Sequence, residues 1–248
     1  MKVFVNKETK AVSAPDCRTL VVTGASSGVG EALVRRLAGQ GRRVYAVARS
    51  AEKLRRLEKE VPDCIVAVPL DVTDAAAVRT VIERIESERP IDALVNNAAI
   101  YQRTPFAEQA LRKVDEIIDT NVKGTLYPTH AVLPAMIRRK RGRIVMVNSV
   151  AGTRGIVNEA VYCAGKHAII GFSDALMQEL IPHNIQVAVL NPGGIDTPLW
   201  NRDGNSYPGD KTKLLKPEEV AEMVQFVLDA PDRTLFKRMV FFPTGEWH

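Results

Sequence analysis

The chain is poor in the residues that build metal centres and disulfide frameworks. Its 248 residues include only Cys17, Cys64, Cys163 and four histidines. No CxxC, HExxH or paired His–Cys spacing occurs, so a metal site has thin support and the cysteines read as reduced, partly buried residues. No uninterrupted apolar stretch reaches membrane-spanning length, so no membrane insertion is expected. Met1-Lys2-Val3-Phe4-Val5-Asn6-Lys7 lacks the longer apolar region of a secretory signal, which makes the cytoplasm the expected compartment. Aromatics reach only 6%, so small aliphatic side chains must build much of the core. No repeat or low-complexity block interrupts the chain.

Basic charge is present, at a formal +5. It gathers in Arg35-Arg36, Arg42-Arg43, Arg55-Arg56 and Arg138-Arg139-Lys140-Arg141. These clusters read either as solvated faces or as a polyanion site. No nucleic-acid-binding motif accompanies them, so no specific nucleic-acid partner is expected.

Short apolar runs alternate with amphipathic segments. Strands are expected at 20–22, 44–48, 64–68, 91–95, 143–148, 185–190 and 239–242, with a short one at 3–5. Helices are expected at about 24–40, 52–60, from Asp74 onward, 108–139, 159–181 and 217–228. Pro128 and Pro134 should bend or divide the fourth of these. The alternation predicts an α/β fold, with a mainly parallel sheet covered by helices on both faces. Residues 1–18 read as a leader and 19–248 as one domain, with 194–215 as its most distinct loop.

Two groups of residues carry chemistry. The first is Thr23-Gly24-Ala25-Ser26-Ser27-Gly28-Val29-Gly30, between an apolar strand and a helix. A dinucleotide pyrophosphate needs backbone N–H groups close at hand. Gly24, Gly28 and Gly30 remove obstructing side chains, Ser26 and Ser27 add hydroxyls, and the helix N-terminus favours the anion. After the second strand stands Ala48-Arg49-Ser50, where an acid would bind a ribose diol. Arg49 can pair with a 2′-phosphate and Ser50 can assist, which favours NADP(H) over NAD(H). Arg42 and Arg43 could reinforce such a pocket.

The second group is Tyr162 and Lys166, four residues apart on one helix face, with Ser149 just beyond a strand. The ammonium would favour a phenolate and bring the tyrosine's proton exchange closer to neutral pH. Ser149 could bond a substrate oxygen. A Tyr–Lys pair can equally be an ordinary helix contact, and it is the order of all these features that points to catalysis. Cys163 diverges from Tyr162 on the helix and reads as packing.

The spacing Gly-x-x-x-Gly-x-Gly, the Asn96-Asn97-Ala98-Ala99 segment and the Ser149, Tyr162-xxx-Lys166 set resemble the short-chain dehydrogenase/reductase (SDR) family over about residues 18–245. The resemblance implies a Rossmann-like, doubly wound fold and an oxidoreductase interconverting a carbonyl and an alcohol by hydride transfer with NADP(H). It implies cofactor contacts from Val29, Asp71 and Val72 at the adenine, Asn97 and Ala98 near the ribose, and Pro192, Gly193, Ile195 and Thr197 near the nicotinamide. It makes Asn121 the fourth active-site member, supporting a proton relay and local helix geometry. Ala99 departs from the family's usual glycine.

The expected substrate is a small ketone, aldehyde or alcohol. Residues 150–160 and 194–215 would line its pocket, with Leu199, Trp200, Tyr207 and Leu214 as apolar contacts and Arg202 as an anion selector. A homo-dimer or homo-tetramer through helices near 105–139 and 159–181 is implied. A 3-oxoacyl thioester reductase and a non-catalytic cofactor-sensing protein are the alternatives.

Overall fold

The computed structural model describes residues 19–201 and 205–245. The expected strand at 3–5, Cys17 and Arg202 lie outside them. Seven strands form one sheet: β1 (Thr19–Thr23), β2 (Arg43–Ala48), β3 (Ile65–Pro69), β4 (Ala93–Asn96), β5 (Gly142–Val147), β6 (Ile185–Pro192) and β7 (Arg238–Phe241). Their order is β3-β2-β1-β4-β5-β6-β7, and every pairing is parallel. The order reverses between β1 and β4, the switch point of a doubly wound α/β sheet.

Alternation along each strand assigns the two faces. Leu20, Val22, Val44, Ala46, Val95 and Val145 point to one side. There they meet α1 (Gly28–Ala38), α2 (Ala51–Glu60) and α7 (Pro217–Leu228). Val21, Tyr45, Val47, Leu94, Ile144 and Met146 point to the other. They pack on α3 (Ala75–Glu88), α5 (Gly124–Arg139) and α6 (Ala160–Leu180). Both faces are buried, which is why these strands read as continuous apolar runs rather than alternating ones.

Local signals held at several ends. Asp74 caps α3, its Oδ1 accepting from Ala77 N at 3.0 Å. Pro217 starts α7 with Glu219 closing back on the Lys216 N–H.

The expected helix over 108–139 is divided, though not by its prolines. It comprises α4 (Leu111–Ile118), a π-helical turn (Asp119–Lys123) and α5, and both Pro128 and Pro134 lie inside α5. The wide turn surrounds Asn121, which is buried and hydrogen-bonded to the chain leaving β4. Tertiary bonding, not proline, sets the break, as is common where π-turns serve a site.

Most of the basic clusters face acids of the same chain. Arg35 pairs with Glu31 and Glu60, Arg36 with Glu222, and Arg139 with Glu86. Among the described residues, no helix is long and apolar enough to cross a membrane.

Candidate active site

The C-terminal ends of β1 to β6 open onto two adjoining cavities. The first, about 440 Å³, runs along the glycine turn and the ends of β2, β3 and β4. The second, about 640 Å³, lies beyond β5 and β6 under the 194–215 loop. Asn148, Tyr162, Ile195, Thr197 and Leu199 line both.

The turn after β1 is shaped by backbone that side chains rarely tolerate. Gly24 has φ 66° and Gly28 φ 57°. A Cβ on Gly24 would lie 2.8 Å from Ala98 Cα, and one on Gly28 would lie 3.1 Å from Thr197 Cγ2. Gly28 therefore keeps the cleft between the turn and the β6 loop open. Gly30 does not line the cavity. Its Cβ would come within 2.3 Å of Gly24 O, so it lets α1 sit directly against the turn. Ser27 precedes α1 without making a side-chain capping bond to it. The first N–H groups of α1 face the cavity that Ser26, Ser27, Gly28 and Val29 line, a polar, positively biased end suited to a pyrophosphate.

Asn97 locks this turn to β4. Its Nδ2 donates to Thr23 O at 3.0 Å and to Gly24 O at 3.3 Å, while Thr23 Oγ1 accepts from the N–H groups of Asn97 and Ala98. Asn97, Ala98 and Ala99 all line the first cavity.

At its far end stand Arg49, Ser50, Asp71 and Val72, as expected, and also Lys53. Lys53, in the first turn of α2, was not singled out from the sequence. Its signal was position: three residues after Ser50, where the helix turns back over the end of β2. Arg42 and Arg43 are elsewhere. They sit at the opposite end of β2, with Arg42 bonded to Asp229 at 2.5 Å and Arg43 to Asp63 O at 2.7 Å. A strand six residues long separates the two ends, so these arginines reinforce no phosphate pocket. The Asp71 carboxylate accepts from Thr73 N and Oγ1, which organises the loop as well as lining the cavity.

Cavities, glycines and cations fit a dinucleotide carrying an extra phosphate. The glycine turn leaves room for a pyrophosphate, and among the described residues Asp71 is the one acid that shares the Arg49 and Lys53 end of the lining.

Tyr162 and Lys166 emerge from α6 where the cavities meet. Tyr162 is buried and hydrogen-bonded to Ser149. Ser149 Oγ also accepts from Ala151 N at 3.1 Å, holding the turn beyond β5. Lys166 Nζ donates to Val147 O at 3.2 Å and lies 5.6 Å from the centre of the Tyr162 ring. Burial pushes Lys166 down to about 8. The expected lowering of Tyr162 is reversed. Burial pushes its phenol up, the Glu159 carboxylate adds to the rise, and only the Ser149 hydrogen bond opposes it. Desolvation disfavours the phenolate more than the Ser149 hydrogen bond favours it.

Asn121 lines neither cavity. Its Oδ1 accepts from Ile100 N at 2.8 Å and its Nδ2 donates to Ile100 O at 3.0 Å, fastening the π-turn to the segment after β4. Its own carbonyl accepts from Thr125 Oγ1. α6 packs close by, with a Cβ on Gly165 reaching within 3.6 Å of Asn121 Cβ.

The second cavity has an aromatic wall. Tyr101 meets Tyr162 edge-on at 5.0 Å between ring centres, and Trp200 meets both Tyr101 and Tyr207. Trp200 Nε1 is anchored on Ile195 O at 2.7 Å. The expected Leu199, Trp200 and Tyr207 line this space, whereas Leu214 is buried away from it. The 194–215 loop is pinned at its base by a parallel bridge between Ile195 and Leu215 and by a Lys216–Asp196 ion pair. Pro192 and Gly193 line this cavity rather than the first. Sequence reading missed Tyr101, Arg154 and Glu159 as individual wall residues. They come from separate segments, and no motif marks them. Among the described residues, no group of three His, Cys, Asp or Glu side chains could hold a metal.

Residues 18–207 match the family model for short chain dehydrogenases. An uncharacterized oxidoreductase of Staphylococcus saprophyticus is 30% identical over 92% of this chain and 97% of its own. The 3-ketodihydrosphingosine reductase of Mus musculus is 33% identical over 85% of this chain and 68% of its own. Among solved structures, serine dehydrogenase from Escherichia coli superposes with a TM-score of 0.84 and 31% identity, covering 93% of this chain and 100% of that one. The closed form of serine dehydrogenase complexed with NADP+ gives 0.86 and 32%, covering 93% and 96%. A family match across most of the chain joins a doubly wound sheet, a glycine turn and a Ser–Tyr–Lys cluster. The chain belongs to the short-chain dehydrogenase/reductase family and is an oxidoreductase of that type.

Proposed function

We propose that this oxidoreductase interconverts a small carbonyl compound and its alcohol with NADP(H). The observation that carries the reading is the junction of the two cavities at Tyr162. A glycine-lined space with cations at its far end opens there onto an aromatic-walled space next to Ser149. Arg49 and Lys53 support the phosphorylated cofactor, and Ser50 shares their end of the cavity. Relatives solved with NADP+ support the same choice.

When bound, the nicotinamide supplies or accepts the hydride at the substrate carbon. Gly24, Ser26, Ser27, Gly28 and Val29 cradle the cofactor phosphates, with Gly30 holding α1 in register. Asp71 and Val72 border the adenine, Asn97 and Ala98 the ribose, and Pro192, Gly193, Ile195 and Thr197 the nicotinamide side. Ser149 donates a hydrogen bond to the substrate oxygen. Tyr162 gives that oxygen its proton in reduction and takes it back in oxidation. Lys166, a cation at neutral pH, stabilises the phenolate left behind. Asn121 is a positioning residue, acting through the π-turn and Ile100.

The catalytic domain in this reading spans residue 19 onward, with 194–215 as its substrate loop. Assembly as a homo-dimer or homo-tetramer would run through α4, α5 and α6; Phe106 and Leu111, just before and at the start of α4, are exposed. Light scattering of the purified protein measures it directly. Relatives named for serine and for 3-ketodihydrosphingosine bracket a wide range of substrates.

The test follows absorbance of NADPH and NADH separately against ketones, aldehydes, hydroxy compounds and acyl thioesters. Substrate-dependent consumption of NADPH, faster than of NADH, is the expected result. Cofactor binding with no turnover across the panel would replace the reading with a sensing role.

A further inference from the structure

Among the described residues, three charged side chains line the cavity beside Ser149 and Tyr162: Arg103, Arg154 and Glu159. Glu159 is buried, and its Oε1 accepts from the Tyr101 hydroxyl at 2.8 Å. Arg154 is half-buried, and it differs from Arg42 and Arg43, which also keep one shielded nitrogen unbonded but anchor another, Arg43 on Asp63 O. Arg143 donates into the carbonyls of Val227, Leu228 and Ala230, and Arg42 pairs with Asp229. Arg154 Nε is shielded from solvent and has no hydrogen-bond partner. Its guanidinium instead lies 5.5 Å from the centre of the Phe242 ring. Arg154 is also held close to the reacting groups by its backbone. Its N–H donates to Val150 O at 3.2 Å, one turn beyond Ser149.

A guanidinium cannot escape such an environment by losing its proton. A shielded N–H of a charged group left unbonded is costly. A planar carboxylate removes the cost, since its two oxygens match the guanidinium fork. The remaining wall near Arg154, from Val150, Ile156, Leu199 and Trp200, is apolar and suits an aliphatic spacer. Arg103 adds a second cation, so among the described residues the lining carries two positive charges against the single negative charge of Glu159.

We propose that Arg154 receives a carboxylate on the substrate, making the substrate a hydroxy acid and its product the corresponding oxo acid. The inference rests on the hydride-transfer reading for the reaction, and on Arg154 alone for the carboxylate. In oxidation the C–H bond at the hydroxyl carbon breaks and its hydride passes to NADP+. The Tyr162 phenol first releases its own proton to solvent; the hydroxyl proton then passes to the phenolate, and a C=O bond forms. The carboxylate at Arg154 is unchanged.

The test uses 2-, 3- and 4-hydroxybutanoate and the neutral amide of each, with the NADP+-loaded enzyme. Turnover and calorimetric binding are measured on wild type, Arg154→Gln and Arg154→Lys. In wild type, at least one acid should exceed its amide in kcat/KM by about a hundredfold. That ratio should fall at least tenfold in Arg154→Gln and less in Arg154→Lys, which keeps the charge but not the fork. Binding of the same acid should weaken in parallel. Should Arg154→Gln not fold, as judged by circular dichroism, Arg154→Lys and the wild-type acid-to-amide ratio carry the test. Equal use of acids and amides by wild type, or an unchanged ratio in the variants, would overturn the carboxylate site while leaving hydride transfer intact. Arg154-dependent binding without any turnover would uphold the carboxylate site and sink the reaction.

Discussion

The two halves of the cleft are built in different ways. The cofactor half draws most of its lining from a glycine turn, a helix start and the ends of consecutive strands between residues 24 and 100. The substrate half is mostly side chain: Tyr101, Arg154, Glu159, Tyr162, Trp200 and Tyr207, from segments that touch only in the folded chain. Backbone geometry is written locally, because glycine is needed wherever φ is positive or a carbonyl approaches closely. A side-chain wall is written by topology. The first half should therefore resist change through steric constraint, and the second through chemistry.

The sharpest way to break this contrast is at Tyr162, where the halves meet. Tyr162→Phe removes the proton donor and leaves the ring in place. Turnover should fall by about 10²–10⁴-fold, the range for losing general acid–base catalysis, while NADPH affinity stays within a few-fold. Single-turnover rates and fluorescence titration measure the two separately. Near-normal turnover would remove Tyr162 from the proton path.

Lys166 tests whether the junction carries the strain of a buried charge. Its folded value, about 8, lies below the ordinary 10.5. The unfolded chain then holds more protons between those values, so the lysine's cost is full below about pH 8. It fades as pH rises toward 10.5. Lys166→Met should thus stabilise the cofactor-free protein at pH 7, by roughly 3 kcal/mol at most, with the gain shrinking above pH 8. Chemical denaturation at pH 7 and pH 10 checks it; a gain that grows with pH would contradict the sign.

Gly30 sharpens the contrast from the other side. Gly30→Ala puts a methyl 2.3 Å from Gly24 O, in backbone that cannot swing away as a side chain can. Overpacking of this kind costs ~1–3 kcal/mol, and here it should also push the turn out of shape for the pyrophosphate. Both midpoint denaturant concentration and NADPH affinity should drop together. A loss of stability with unchanged affinity would make Gly30 a packing residue alone.

The same division explains what the sequence disclosed. All seven strands over the described region were legible as apolar runs, and the 217–228 helix was legible to its ends because Pro217 marks one boundary. The glycine turn, Ser149, Tyr162 and Lys166 were legible because each sits at a fixed spacing from a neighbour. The π-turn was not, since it arises from two bonds between Asn121 and Ile100, 21 residues earlier. Nor was the rise in the Tyr162 pKa. Spacing put Lys166 nearby but could not show how deeply both groups are buried, or that the Glu159 carboxylate acts on the phenol. Arg154 and Glu159 looked like loop residues until the fold turned them into the same cavity.

Arg49 offers the smallest expected effect and the finest discrimination. It stands exposed at the end of β2, and Lys53 lines the same end of the cavity from α2. A charge-assisted contact to an exposed 2′-phosphate is screened by solvent, so Arg49→Ala should weaken NADPH by about tenfold and leave NADH nearly unchanged. With Lys53 still present, the loss should be partial, and Arg49→Ala/Lys53→Ala should lose more than either single change. Raising the salt concentration should narrow the gap between the two cofactors in wild type and have little effect in the double variant. Equal weakening of NADPH and NADH would mean that Arg49 supports the adenosine end as a whole, and that the extra phosphate is read elsewhere.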